Sequence, residues 1–234
     1  ELPDLLDLVA AMNPTLWSVF FLVPTGRGRL LQALPSSDVE QVMWWLHEIS
    51  GVVPVKTTEA PHYRRIAIQR ARDPKGAEPA GSLLQDLRRR TTARPPSSSR
   101  HSGPPGRTRP PLDVNAGRGF AFIDHLGMVQ PSGFLPLAVG SVSERPFSSI
   151  YREAPLLRTL REPDLLGGRC GRCEFRAICG GSRSHAFAVF SARLVLLRPP
   201  APFRGSTISY GPSGRGGRRN RNLRIIQREA VVDD

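Results

Sequence analysis

The sequence predicts an α/β fold, and three observations carry that prediction. Apolar residues recur at helical spacing in two N-terminal segments, each followed by a short β-branched and aromatic run. An alternating hairpin pattern returns after residue 113. A further helical pattern then leads directly into "GRCGRCEFRAICGGSR", which holds all three cysteines of the chain.

Leu2, Leu5, Leu6, Leu8, Val9 and Met12 follow the three-to-four spacing of an amphipathic helix, and Asn13-Pro14 stops it. "TLWSVFFLV" is nearly continuously apolar, as in a strand buried on both faces of a parallel sheet. Pro24 and "TGRG" end that strand in a loop. "SSDVEQVMWWLHEIS" opens on Ser and Asp in cap position and sets Val39, Val42, Met43, Leu46 and Ile49 on one face. "VVPVKTT" follows as a short strand, so the order helix, strand, helix, strand suits an α/β sheet or barrel.

Patterning dissolves between residues 71 and 112 into Arg, Pro, Ser and Gly, with the short helical stretch "SLLQDLRRR" inside it. That segment is expected to be a disordered linker or insertion, because forty structureless residues rarely sit inside a compact domain. Phe120, Phe122 and Met128 then alternate around the turn "DHLG", which suits a β-hairpin. "FSSIYREAPLLRTLREP" supplies Ser148 or Ser149 as a cap and Ile150, Leu156, Leu157 and Leu160 as the buried face of a helix. From residue 190 to 234 no period is sustained. This tail is expected to be disordered, and its composition is that of GC-rich codons translated out of register from about Phe190. The chain opens on Glu1 inside a helical pattern, as a fragment beginning within a domain would.

The net charge of +13 raises the question of nucleic acid. Lys56 and Lys75 are the only lysines among 33 cationic residues, however, and an arginine bias of this kind follows from GC-rich codons alone. No nucleic-acid partner is predicted on charge. The longest apolar run, "LWSVFFLVP", is too short to span a bilayer. Three cysteines so close together do not make a disulfide framework, and they point to a reduced, cytoplasmic metal or cluster site.

The spacing C-x2-C-x5-C lets two thiolates of one tight turn, Cys170 and Cys173, reach the same metal, with Cys179 arriving from the next turn. Gly171 permits the turn, and Gly180 and Gly181 let backbone N–H groups approach sulfur. Zinc would need a fourth ligand, for which His185 is the candidate. On the residues alone, iron–sulfur and zinc both stay open. His62 and Tyr63 in "EAPHYRR" are candidates for an active-site mouth, although a loop histidine is more often simply solvated. Asp124 and His125 suit a turn, and Trp44 and Trp45 suit packing.

The run "GRGFAFIDHLGMVQPSGFLPLAVGSV" together with "SIYREAPLLRTLREPDLLGGRCGRCEFRAICGGSRSHAFA" resembles the C-terminal extension of radical SAM enzymes, the SPASM or shorter Twitch domain. "LWSVFFLVPTGRG" and "VKTTEAPHYRR" are similar to the last strands of the barrel in the same enzymes. The resemblance implies residues 1–70 as the end of a partial (β/α) TIM-like barrel and 113–189 as a β-hairpin plus helix domain carrying an auxiliary [4Fe–4S] cluster on Cys170, Cys173 and Cys179. It places Leu22, Val23 and Pro24 at an adenine pocket beyond the carboxyl end of a strand. It implies a parent oxidoreductase-type enzyme that binds S-adenosylmethionine at a second, catalytic cluster and abstracts hydrogen from a peptide or tetrapyrrole-like substrate, with ferredoxin or flavodoxin as electron donor. That catalytic cluster sits on a C-x3-C-x2-C loop, and no cysteine precedes Cys170 here. Full SPASM domains also place a cysteine after the hairpin's "V-x-P", where this chain has Ser132, which favours a single auxiliary cluster. The alternative is a zinc knuckle of Cys170, Cys173, Cys179 and His185 that binds RNA.

Overall fold

In the computed structural model, residues 1–92 and 114–190 are described. The first helix, α1 (Leu2–Ala11), carries Pro3 in its first turn, where its fixed φ suits the helix, and Asp4 adds a negative charge where the helix dipole favours it. Strand β1 (Trp17–Phe20), helix α2 (Ser36–Glu48) and strand β2 (Val55–Thr58) then form a β-α-β unit. The strands pair in parallel, with Trp17 opposite Val55 and Phe20 opposite Thr58. The unit continues into α3 (Tyr63–Arg72) and α4 (Leu83–Arg90).

The β1 strand is shorter than its apolar run predicts, and its burial alternates rather than covering both faces. Among the described residues β2 is its one partner, so Phe20 is left largely exposed. The fold is mixed α/β, and the described residues form no closed barrel. Leu22, Val23 and Pro24 lie just past the carboxyl end of β1. Val23 is buried, and its carbonyl accepts the Thr25 N–H at 2.7 Å as the chain folds back into a 3-10 turn, Gly26–Leu30.

The core of this half is built on α2, where Val42, Met43, Trp44, Trp45 and Leu46 are all buried, so the helix is covered on more than one face. Leu6 of α1, Ile66 of α3 and Leu84 and Leu87 of α4 close over it. Within the stretch that composition marks as linker, residues 83–90 are therefore a packed helix. Its start is specified from afar: the fully buried Gln41 accepts the Leu84 N–H at 3.0 Å. Gly81 makes room for that amide, since a Cβ there would lie 2.3 Å from Gln41 Nε2. Residues 93–112, the remainder of the expected linker, lie outside the described residues, as does the tail beyond Phe190.

The second half is a three-stranded antiparallel sheet, β3 (Phe122–Ile123), β4 (Met128–Gln130) and β5 (Gly140–Ser141). Asp124 makes the "DHLG" turn: its Oδ1 accepts the N–H groups of Leu126 and Met128, each at 2.9 Å. Those bonds, the Met128 one foremost, hold its carboxyl below the usual range. The single helix expected after the hairpin is two, α5 (Phe147–Glu153) and α6 (Pro155–Arg161), because Pro155 cannot continue the first but can start the second. Pro146, not Ser148 or Ser149, stands at the cap of α5. Ile150, Leu157 and Leu160 pack on Val129 and Leu135 as a second core. Two one-turn helices follow, α7 (Gly168–Gly171) and α8 (Arg176–Cys179), then α9 (Arg183–Phe190).

Candidate metal centre

The three thiols lie on the two one-turn helices and the loop between them: Cys170 in α7, Cys173 just after it, Cys179 at the end of α8. The Cys173 N–H bonds back to the Cys170 carbonyl, and the Cys179 N–H to that of Phe175. Gly180 and Gly181 both take left-handed backbone, with φ of +67°, so the chain reverses over the sulfurs. A Cβ on Gly181 would lie 3.1 Å from Cys170 Sγ, and the Gly181 N–H donates to the Cys179 sulfur. Glycine there leaves a cradle the width of a side chain beside sulfur.

Side chains from distant segments hold this loop by its carbonyls. Asn115 donates from Nδ2 to the carbonyls of Cys179 (3.1 Å) and Gly181 (2.7 Å), and Arg118 donates to that of Ala177 at 2.8 Å. Arg64 of α3 reaches over to donate to the carbonyls of Ile178 (3.1 Å) and Val114 (2.6 Å). These residues carry no metal-ligand signature, and sequence reasoning missed them. The available hint was "NAGRG", a polar turn with no helical or strand period. Carbonyls at the ends of one-turn helices lack intrahelical donors, and here arginine and asparagine supply them.

Electrostatics tie the three sulfurs together. Burial pushes the Cys170 thiol up, as does negative charge on Cys173, while Arg183 pulls it down. Burial likewise raises Cys179, with the Gly181 N–H opposing, the other two cysteines adding to the rise, and Arg64 countering it. Thiols held in this way stay protonated near neutrality and release protons when they ligate. The donor chemistry, with soft sulfurs, backbone N–H groups aimed at them and cationic side chains nearby, fits an iron–sulfur cluster. Among the described residues no group of three or more His, Cys, Asp or Glu side chains converges closely enough to hold a metal ion.

His185 follows Ser182 at the start of α9, and its charge acts on Glu59 and His62. His62 is not a solvated loop residue: it immediately precedes α3, and burial pulls its pKa down to about 4, with Glu40 opposing and Arg65 and His185 reinforcing. Tyr63, at the first position of α3, is pushed up to about 12 by burial. Glu59, between β2 and His62, has left-handed backbone with φ of +61°. Burial raises its carboxyl above the usual range, against the hydroxyls of Ser184, Ser182 and Ser132 and the charge of His185. Ser132, where a second-cluster cysteine would stand, is buried and turned towards Glu59 Oε1 at 3.5 Å. Trp44 and Trp45 are packing residues, the first under the Arg70 guanidinium at 4.7 Å and the second donating to Thr91 Oγ1 at 2.8 Å.

Three curated relatives align over most of this chain. The proteins named AdoMet-dependent heme synthase are 33% identical over 190 residues in Methanosarcina barkeri, covering 80% of this chain and 48% of the relative. The Nitratidesulfovibrio vulgaris protein of the same name is 34% identical over 188 residues, covering 79% of this chain and 45% of the relative. The chain is homologous to AdoMet-dependent heme synthases. It spans about half the length of these relatives. A pre-heme d1 synthase of Dinoroseobacter shibae is 43% identical over 70 residues, 29% of this chain and 17% of that protein. No family model matches the chain, and no solved structure matches it. No helix among the described residues is long and apolar enough to cross a membrane.

Proposed function

We propose that this chain is part of a radical SAM enzyme that modifies a tetrapyrrole, and that its cysteine loop carries an auxiliary [4Fe–4S] cluster. The observation that carries the reading is the loop itself. Three electrostatically coupled thiols, two left-handed glycines and a clamp of Asn115, Arg118 and Arg64 occur in a chain homologous to heme synthases. Of the two substrate classes the sequence suggests, peptide and tetrapyrrole, the names of the relatives favour the tetrapyrrole.

Cys170, Cys173 and Cys179 would hold the cluster, which would supply one-electron chemistry beside the active site. The chain's own residues do the rest. Gly181 leaves room at Cys170 and donates to the Cys179 sulfur, and Arg64 and Arg183 offset the negative charge that thiolates bring. β1 and β2 are the end of the barrel in this reading, and Leu22, Val23 and Pro24 lie past the carboxyl end of β1, where parallel sheets bind ligands. The catalytic cluster's C-x3-C-x2-C ligands are not in this stretch, because all three cysteines are in the loop. An electron donor such as ferredoxin or flavodoxin belongs to the same reading.

Anaerobic reconstitution with iron and sulfide tests the proposal. The expected product is brown, binds about four irons per chain and loses them when Cys170, Cys173 and Cys179 are replaced by serine. A colourless chain that retains zinc through Cys170, Cys173, Cys179 and His185 overturns it in favour of the zinc knuckle. The same chain, reduced in the presence of S-adenosylmethionine, is expected to release no 5′-deoxyadenosine.

A further inference from the structure

Glu59 stands where an L residue is least comfortable. Its φ of +61° lies in the left-handed region that side chains other than glycine, asparagine and aspartate avoid, and it follows directly on the carboxyl end of β2. The conformation turns its carboxylate away from the β-α-β unit and towards the second half of the molecule, where the hydroxyls of Ser132, Ser182 and Ser184 meet it. Ser132 donates to Oε1 at 3.5 Å and Ser182 donates to Oε2 at 3.4 Å.

Ser132 and Ser182 each have a second task. Ser132 Oγ accepts the N–H of Phe134 at 3.2 Å and so closes the turn that leaves β4. Ser182 Oγ accepts the N–H of His185 at 3.2 Å, the cap that starts α9 three residues after Cys179. A hydroxyl has one proton and two lone pairs, so donating to Glu59 orients each serine with its lone pairs left for the backbone. One carboxylate thereby sets two caps that are fifty residues apart in sequence.

We propose that Glu59 is a positioning residue: by orienting Ser132 and Ser182 together, it locks the hairpin turn and the segment leaving Cys179 against the end of β2. Arg64, five residues on, fixes the Cys179 side of the same loop through the Ile178 carbonyl. "TTEAPHYRR" is on this account a connector in which Glu59 and Arg64 set the distance from strand end to cysteine loop. The claim about the caps rests on the geometry alone; its consequence for a cluster rests on the proposed function.

The test uses the 234-residue chain with Glu59→Gly, Glu59→Gln and Ser182→Ala. Glycine removes the carboxylate while accepting the left-handed backbone, and glutamine keeps an acceptor oxygen in place. Hydrogen exchange is followed by mass spectrometry on the metal-free protein. Glu59→Gly is expected to speed exchange of the Phe134 and His185 amides together by about tenfold or more, with α6 unchanged. Ser182→Ala is expected to speed His185 alone, and Glu59→Gln, whose amide offers one acceptor oxygen to two serines, to return one of the two amides to the wild-type rate. Unchanged rates in Glu59→Gly, or a Glu59→Gln variant as fast as it at both amides, overturn the proposal. Should Glu59→Gly fail to fold, Ser182→Ala decides: no acceleration at His185 overturns the cap. In reconstituted protein, Glu59→Gly is expected to lose iron to a chelator several-fold faster than wild type, whereas a wild type that takes up no iron sinks the cluster reading and leaves the exchange result standing.

Discussion

The two halves of the molecule are held together by different physics. Residues 1–92 close over α2 through apolar burial, with Leu6, Met43, Trp45, Leu46 and Ile66 fully removed from solvent. Residues 114–190 have a smaller apolar core and very little regular sheet, and the loop that holds the cysteines is fixed by side chains bonding to its carbonyls. Burial is non-directional and tolerates imprecision, so it suits a scaffold. Hydrogen bonds to carbonyls are directional and lock a backbone whose shape must present three sulfurs.

That contrast can be broken most directly at Trp45. Its indole is fully buried and donates to Thr91 at 2.8 Å, so Trp45→Ala creates a large cavity and leaves the Thr91 hydroxyl with its bond to the Leu87 carbonyl alone. A loss of about 3–5 kcal/mol is expected in urea unfolding, with the midpoint shifted and the first half affected most. A loss under about 1 kcal/mol would remove the distinction between the halves.

Next in size is acid sensitivity through His62. An ordinary histidine titrates near 6.5, and here burial lowers it to about 4. As pH falls, the unfolded chain therefore takes up its proton first. Stability from the neutral His62 is complete above about pH 6.5 and is lost as pH falls towards about 4. The stability difference between wild type and His62→Gln is expected to shrink by about 2 kcal/mol between about pH 7 and about pH 4.5. A difference that stays flat across that range shows a solvated histidine.

The polar half is sharpened by Asn115→Ala, which releases two carbonyls of the cysteine loop at once. About 1–3 kcal/mol is expected, together with faster alkylation of Cys179 than in the wild-type chain. Stability that drops without any change in thiol alkylation would mean that the clamp serves the core and not the loop. The smallest effect is expected at Arg145 and Glu153, an ion pair exposed on both sides. Arg145→Ala should change stability by less than about 0.5 kcal/mol, and salt should make no measurable difference to the variant.

The elements with strong local patterns were legible in the sequence. The helices α1 and α2, the Asp124 turn and the burial of Ile150, Leu157 and Leu160 follow from spacing, because helix and hairpin periods are local properties, whereas Pro35 rather than the expected Ser and Asp stands at the cap of α2 and Leu5, Leu8 and Met12 of the expected α1 stripe are exposed. Homology to heme synthases agrees with the family that the cysteine loop and "EAPHYRR" resemble. The helical stretch "SLLQDLRRR" was legible, but the packing of α4 was not, since its burial depends on Gln41 and Gly81 meeting it from elsewhere.

The site divides in the same way. Sequence alone determined that three sulfurs share one short loop with glycines beside them, because turn chemistry and ligand spacing are written within sixteen residues. Only the tertiary structure decided what surrounds that loop. Asn115, Arg118 and Arg64 reach it from between 59 and 114 positions away in chain order, and the charge of His185 acts on Glu59 and His62. Partners of buried carbonyls and carboxylates are set by which distant segments the packing brings together, and no local period encodes that.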